Sequence, residues 1–154
     1  MARKADARTQ EQEIVATNTS SEHDSIVGAI QALEAALASP ATGREDAWSE
    51  RIERDLAPVV AAVVQHCRAA ESEGGLVKEL QLSLGRPHSL KVVSREHERL
   101  AIEAAEFLES LSSQGDVALV RARAADLTAD LRAHQAHETD LIYEAFFRDI
   151  GLGD

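Results

Sequence analysis

Four stretches of this chain carry apolar residues at alternating three- and four-residue spacing, and clusters of Gly, Pro and Ser separate them. That spacing marks one face of an α-helix, and a helix with an apolar seam must bury it against other helices. The first seam reads His23, Ile26, Ile30, Leu33, Leu37, and the second Ile52, Leu56, Val59, Val63, His66, Ala70. The third is Leu90, Val93, His97, Leu100, Ala104, Phe107, Leu111. The fourth is Val120, Ala124, Leu127, Leu131, His134, Glu138, Leu141, Ala145. Aromatics are only 3% of the chain and Ala, Leu, Glu and Arg dominate, so helix formers outnumber residues suited to a sheet. The fold class is all-α, and 154 residues suffice for one domain with its own core.

Breakers and caps set the expected boundaries. Residues 1–19 are polar and without apolar periodicity, which predicts a flexible N-terminal arm, with the bundle occupying 20–154. Ser20 or Ser21 opens the first helix, expected over 21–38 and ended by Ser39-Pro40. Thr42-Gly43-Arg44-Glu45 has the pattern of a capping box, and the helix it opens should run to Glu73, before Gly74-Gly75. Pro58 lies inside that helix and predicts a kink or split near 55–58. A short helical piece over 76–84 precedes Gly85-Arg86-Pro87. The third long helix is expected over 89–112, and the fourth from Asp116 as N-cap to about Ile150. Mostly short connections favour an up-down-up-down antiparallel four-helix bundle.

In such a bundle the four seam histidines share a level. His23 and His97 are early in their helices, whereas His66 and His134 are late. Each lies roughly 16 to 24 residues, or about 24 to 36 Å, from the far end of the bundle. One seam histidine is ordinarily a hydrogen-bonded core side chain. Four in one layer bury many polar nitrogens, each costing about 1 to 3 kcal/mol if left unsatisfied, and a metal ion that accepts their lone pairs removes that cost. Glu138 lies one turn after His134 on the same face and adds an oxygen ligand. Glu71, five residues after His66, is the candidate carboxylate of the second helix, although it sits about 140° around the helix. It reads equally well as a solvated charge.

Other residues read more plainly. His137, Asp140 and Glu144 lie off the seam of the fourth helix and are expected at its surface or boundary, His88 follows Pro87 in a loop, Cys67 is turned away from His66, and Tyr143 is expected to pack. The formal charge of -11 opposes a nucleic-acid or anionic-membrane partner, since binding polyphosphate needs clustered Lys and Arg. No apolar run reaches membrane-spanning length, the start of the chain lacks the apolar core of a signal peptide, and the single cysteine fits a reducing compartment. A cytoplasmic location is expected.

Imidazole and carboxylate without thiolate suit iron, manganese, zinc or copper. Four histidines and two carboxylates, His23, His66, Glu71, His97, His134 and Glu138, make a centre of two ions bridged by carboxylates and an exogenous oxo or hydroxo group more natural than one saturated ion. The Glu-x-x-His pairs of ferritin-like bundles are absent.

The arrangement resembles the haemerythrin-like, or HHE cation-binding, family over roughly residues 20–150. The likeness rests on His23, on His66 with a following carboxylate, on Glu96-His97, and on His134-Gln135-Ala136-His137-Glu138, and the stretch from Asp140 to Gly151 is similar to the tail of some bacterial members. It implies a non-haem di-iron centre that binds oxygen or responds to iron, nitric oxide or peroxide. Two departures stand out. The second-helix carboxylate is displaced to Glu71, and Ala101 occupies the place where oxygen-carrying members have a second histidine. One metal position, on the His134 side, is therefore better supported than the other. Besides binding or sensing a small diatomic or peroxide ligand, the readings left open are an enzyme consuming peroxide or nitric oxide, and an interaction module with a degenerate site, using Phe146, Phe147 and Ile150.

Overall fold

A computed structural model describes residues 1–113 and 115–147. Among them are five α-helices and no strand: α1 (Ala2–Ala38), α2 (Glu45–Glu71), α3 (Leu76–Leu84), α4 (Pro87–Ser110) and α5 (Val117–Ile142), which continues into a π-helical turn over Tyr143–Phe147. The expected end of the last helix at Ile150 lies outside the described residues. No helix among them is long and apolar enough to cross a membrane.

The largest departure from expectation is at the N-terminus. Residues 2–19, expected as a flexible arm, are the first half of α1. The reason is a seam too sparse to see in sequence. Val15 and Thr19 stand four residues apart ahead of His23, Ile26 and Ile30, and both are buried. Their cover is α3: Val15 packs with Leu76 and Leu80, while Arg8 and Gln12 donate hydrogen bonds to the Ser83 hydroxyl. Ala, Arg, Lys, Gln and Glu upstream of Val15 favour helix once its contacts are made.

The second departure concerns α2, which is continuous through Pro58. Proline removes the bond to the Arg54 carbonyl, but both residues lie on the exposed face of the helix, where water can satisfy that carbonyl. Val59 beside it remains buried. The helix also starts at Glu45, after the Thr42-Gly43 turn, and the Glu45 carboxylate accepts the N–H of Gly43. Its end is the Gly74-Gly75 turn. Gly74 has φ +73, and a Cβ on Gly75 would collide with the Ala69 carbonyl oxygen, so the two glycines allow α3 to fold back onto α1.

Asp116 caps α5 as its sequence suggests, accepting the N–H groups of Ala118 and Leu119. Asp116→Ala is expected to cost about 1 kcal/mol, read as a lower urea midpoint with unchanged slope.

The seams pack as two apolar clusters. One contains Ile26, Ile30, Leu33, Ile52, Leu56, Val59, Leu100, Phe107, Leu127 and Leu131 among others. The second contains Val15, Ala70, Leu76, Leu80, Leu90, Val93, Leu141, Ile142 and Phe146. Along α1 and α4 the second cluster precedes the histidine and the first follows it; along α2 and α5 the order is reversed. The four histidines therefore lie between two apolar layers. At the far end of the first cluster, Arg121 near the start of α5 donates to the carbonyls of Leu37 and Ser39 at the end of α1.

Candidate metal centre

Burial brings a set of titratable groups into the layer between the clusters. His66, His97, His134 and Glu138 are all buried, and Glu138 has no exposed surface. The four offer ligand atoms that all lie within 4.8 Å of one another, a group that can hold a metal ion. Glu138 Oε1 is the common point, 3.0 Å from Nε2 of His66, 2.5 Å from Nε2 of His97 and 2.8 Å from Nε2 of His134. Its second oxygen, Oε2, is 2.7 Å from Nε2 of His23, which is partly exposed at the rim.

Each of the three inner rings is held from behind by a carboxylate of the preceding long helix. Glu22 of α1 faces His66 Nδ1 at 3.3 Å, Glu71 of α2 faces His97 Nδ1 at 2.8 Å, and Glu96 of α4 faces His134 Nδ1 at 2.7 Å. These pairs give the rings a defined tautomer. A carboxylate accepts only, so the Nδ1 of each ring carries the proton and donates, and Nε2 of a neutral ring presents a lone pair inward. Three lone pairs then face a carboxylate oxygen. That arrangement is repulsive unless protons or a cation lie between them.

The hydrogen-bond count makes the same point. One carboxylate oxygen has two lone pairs, yet three imidazole nitrogens converge on Oε1. His134 Nε2 is the atom left over: it is buried and has no hydrogen-bond partner despite its 2.8 Å approach to Oε1, because the direction is unsuitable. An orphaned buried nitrogen aimed at a cluster of ligand atoms is what a bound cation would satisfy. Three imidazoles and a carboxylate are a donor set for zinc, iron or manganese.

Without a metal, a proton on His66 fills part of that role. Burial opposes a charge on His66, but its hydrogen bonds to Glu138 and Glu22 outweigh this and raise its pKa to about 9. Burial likewise opposes the charge of Glu138, and the four histidines overcome it, holding the carboxyl far below the ordinary range. Glu96 is lowered too: burial acts against its charge, and the bonds from His134 and His137 prevail. The Cys67 thiol is pushed up to about 12, by burial first and then by Glu138 and Glu71. Cys67 packs as expected, its S–H directed at the His97 carbonyl oxygen.

The remaining expectations divide. His23, His66, His97, His134 and Glu138 are gathered in one layer. Glu71 lies behind His97, outside the converging ligand atoms, with 39% of its side chain exposed. Glu22, given no role by the sequence, and Glu96, read there only as part of Glu96-His97, belong to the same framework. Their signal was positional, since each directly precedes a seam histidine. His137 is partly exposed, with Nδ1 3.2 Å from both Glu96 oxygens. Asp140 and His88 are exposed, His88 within the first turn of α4, and Glu144 pairs with Arg86 at 2.9 Å. Tyr143, expected to pack, is 66% exposed, whereas Phe146 is buried and Phe147 exposed.

No family model matches this chain, and no curated protein or solved structure matches it, so the centre is read from its geometry.

Proposed function

We propose that this chain is a haemerythrin-like metalloprotein: an up-down-up-down antiparallel bundle in which His66, His97, His134 and Glu138 hold iron, and in which the centre binds or senses O2, NO or peroxide. The observation that carries this reading is the convergence of three Nε2 atoms on Glu138 Oε1, with a carboxylate behind each ring. The alternating order of the two apolar clusters along successive helices supports the antiparallel arrangement.

When bound, the metal supplies a redox-active Lewis acid with coordination positions beyond its four protein ligands. The chain's own groups do the rest. Glu22, Glu71 and Glu96 keep the Nδ1 protons and so turn the Nε2 lone pairs inward. The two apolar clusters exclude bulk water from above and below. A pocket of about 160 Å³, lined by Val15, Thr19, Glu22, Ala70, Gly75 and Leu76 among others, reaches the carboxylate behind His66.

The test is direct. Protein purified after growth with iron should contain metal by elemental analysis, and its visible spectrum should change with oxygen, NO or peroxide. His97→Ala and His134→Ala should each abolish metal retention. Less than about half an equivalent of any transition metal, with no difference between wild type and variants, sinks the reading. Rapid peroxide consumption would instead favour an enzyme.

A further inference from the structure

We infer that the centre holds one metal ion rather than two, and that His23 is a positioning residue that aims Glu138 rather than a ligand. This rests on the metal-binding reading above and concerns how the site is divided.

A second ion would need its own donors and a bridge. The natural bridges are carboxylates, and four stand near the layer. Three of them are committed elsewhere, because Glu22, Glu71 and Glu96 sit behind His66, His97 and His134 on Nδ1. Turning any one inward would strip a ring of the acceptor that sets its tautomer. The fourth, Glu138, has Oε1 among the three inner rings and Oε2 against His23. Among the described residues, a second position could therefore draw on Glu138 Oε2 and His23 Nε2 alone, too few for a stable site of imidazole and carboxylate.

Among the described residues, the surroundings of His23 add no further strong donor. Gln135 directs its amide nitrogen to the His23 carbonyl oxygen at 3.3 Å. Ala101, one turn after His97 on α4, has no donor atom. Thr19, one turn before His23 and buried, offers only a neutral hydroxyl. The four convergent ligand atoms come from His66, His97, His134 and Glu138, without His23.

His23 has a clear role without a metal of its own. Its Nε2–H donates to Glu138 Oε2 at 2.7 Å. That bond fixes the carboxylate plane, so that Oε1 faces the three imidazoles. A partner of this kind tunes affinity by orienting a ligand and is worth about 10- to 100-fold in metal binding.

The experiment is a metal count combined with an affinity measurement. Full-length protein is stripped with chelator, titrated anaerobically with Fe(II), and separately with Co(II) followed by visible absorbance. The expected break is at one equivalent per chain. His23→Ala should keep that stoichiometry and the shape of the cobalt spectrum while weakening binding about 10- to 100-fold. His23→Gln, which retains an N–H donor, should recover most of the loss. Circular dichroism of each variant reports folding, and the wild-type count stands even if a variant fails to fold. A break at two equivalents overturns this inference and leaves the metal-binding reading intact. Complete loss of metal in a folded His23→Ala variant makes His23 a ligand and also overturns it. No binding by the wild type removes the metal-binding reading itself.

Discussion

Glu138→Ala is expected to be the most damaging single substitution in this chain, lowering the stability of the metal-free protein by about 3 to 5 kcal/mol and abolishing metal binding. Among the described residues, Glu138 is the one carboxylate in contact with Nε2 of four histidines. Removing it leaves the three buried rings and His23 at the rim without their carboxylate partner and opens a cavity between two packed layers. Either effect alone ranks among the large mutational costs. Glu138→Gln separates them, since it keeps the volume and discards the charge. It should still lose most of the stability, because a neutral amide cannot offset the charge of the His66 imidazolium. Urea denaturation with and without chelator measures both. A loss below about 1 kcal/mol in Glu138→Ala would mean that the layer is not the electrostatic keystone described above.

The second large effect is on pH dependence, and metal should reverse it. In the metal-free chain the folded pKa of His66 is raised from 6.5 to about 9. A raised pKa means that the folded state binds the proton more tightly. The corresponding stability is fully present below about 6.5 and is lost as pH rises through about 9, amounting to about 3 kcal/mol. Glu138 has the opposite sign. Its carboxyl is depressed below the ordinary value of 4.5, so its contribution is present above that pH and is lost as pH falls below it. The chelated protein should thus be most stable between about 4.5 and 6.5 and should lose stability towards pH 9. Metal-loaded protein should not, because the ion takes the place of the protons and binds more tightly as they leave. Thermal melts at pH 6 and pH 9, with chelator and with metal, should show a metal-induced rise in Tm that is larger at pH 9. Equal stability of the chelated protein at both pH values would contradict the assignment of protons to the layer.

Both effects trace to how each seam residue was positioned. The seams of α2 and α4 were fully legible: every seam position from Ile52 to Ala70 and from Leu90 to Leu111 is buried. Periodicity sufficed there because each seam is long and the opposite face is charged. It failed upstream of His23, where only Val15 and Thr19 continue the seam and their cover comes from α3, some sixty residues away. Pro58 misled for a related reason. Its effect depends on whether the freed carbonyl meets water or core, which is a matter of which face it occupies.

The histidine layer shows the same division. The sequence alone determined that His23, His66, His97 and His134 lie on buried faces and, given alternating helix directions, at one level, because rise per residue and helix order are local properties. It also placed Glu138 one turn from His134. What only the tertiary structure decided is which nitrogen and which oxygen face inward. That choice depends on Glu22, Glu71 and Glu96 reaching across from neighbouring helices to the Nδ1 atoms. Partners of that kind lie 26 to 44 residues away in sequence, and no spacing rule within a single helix encodes them. Glu71, a candidate ligand by its distance from His66 along the chain, meets His97 instead, because a side chain about 140° around α2 points at the next helix and away from the centre.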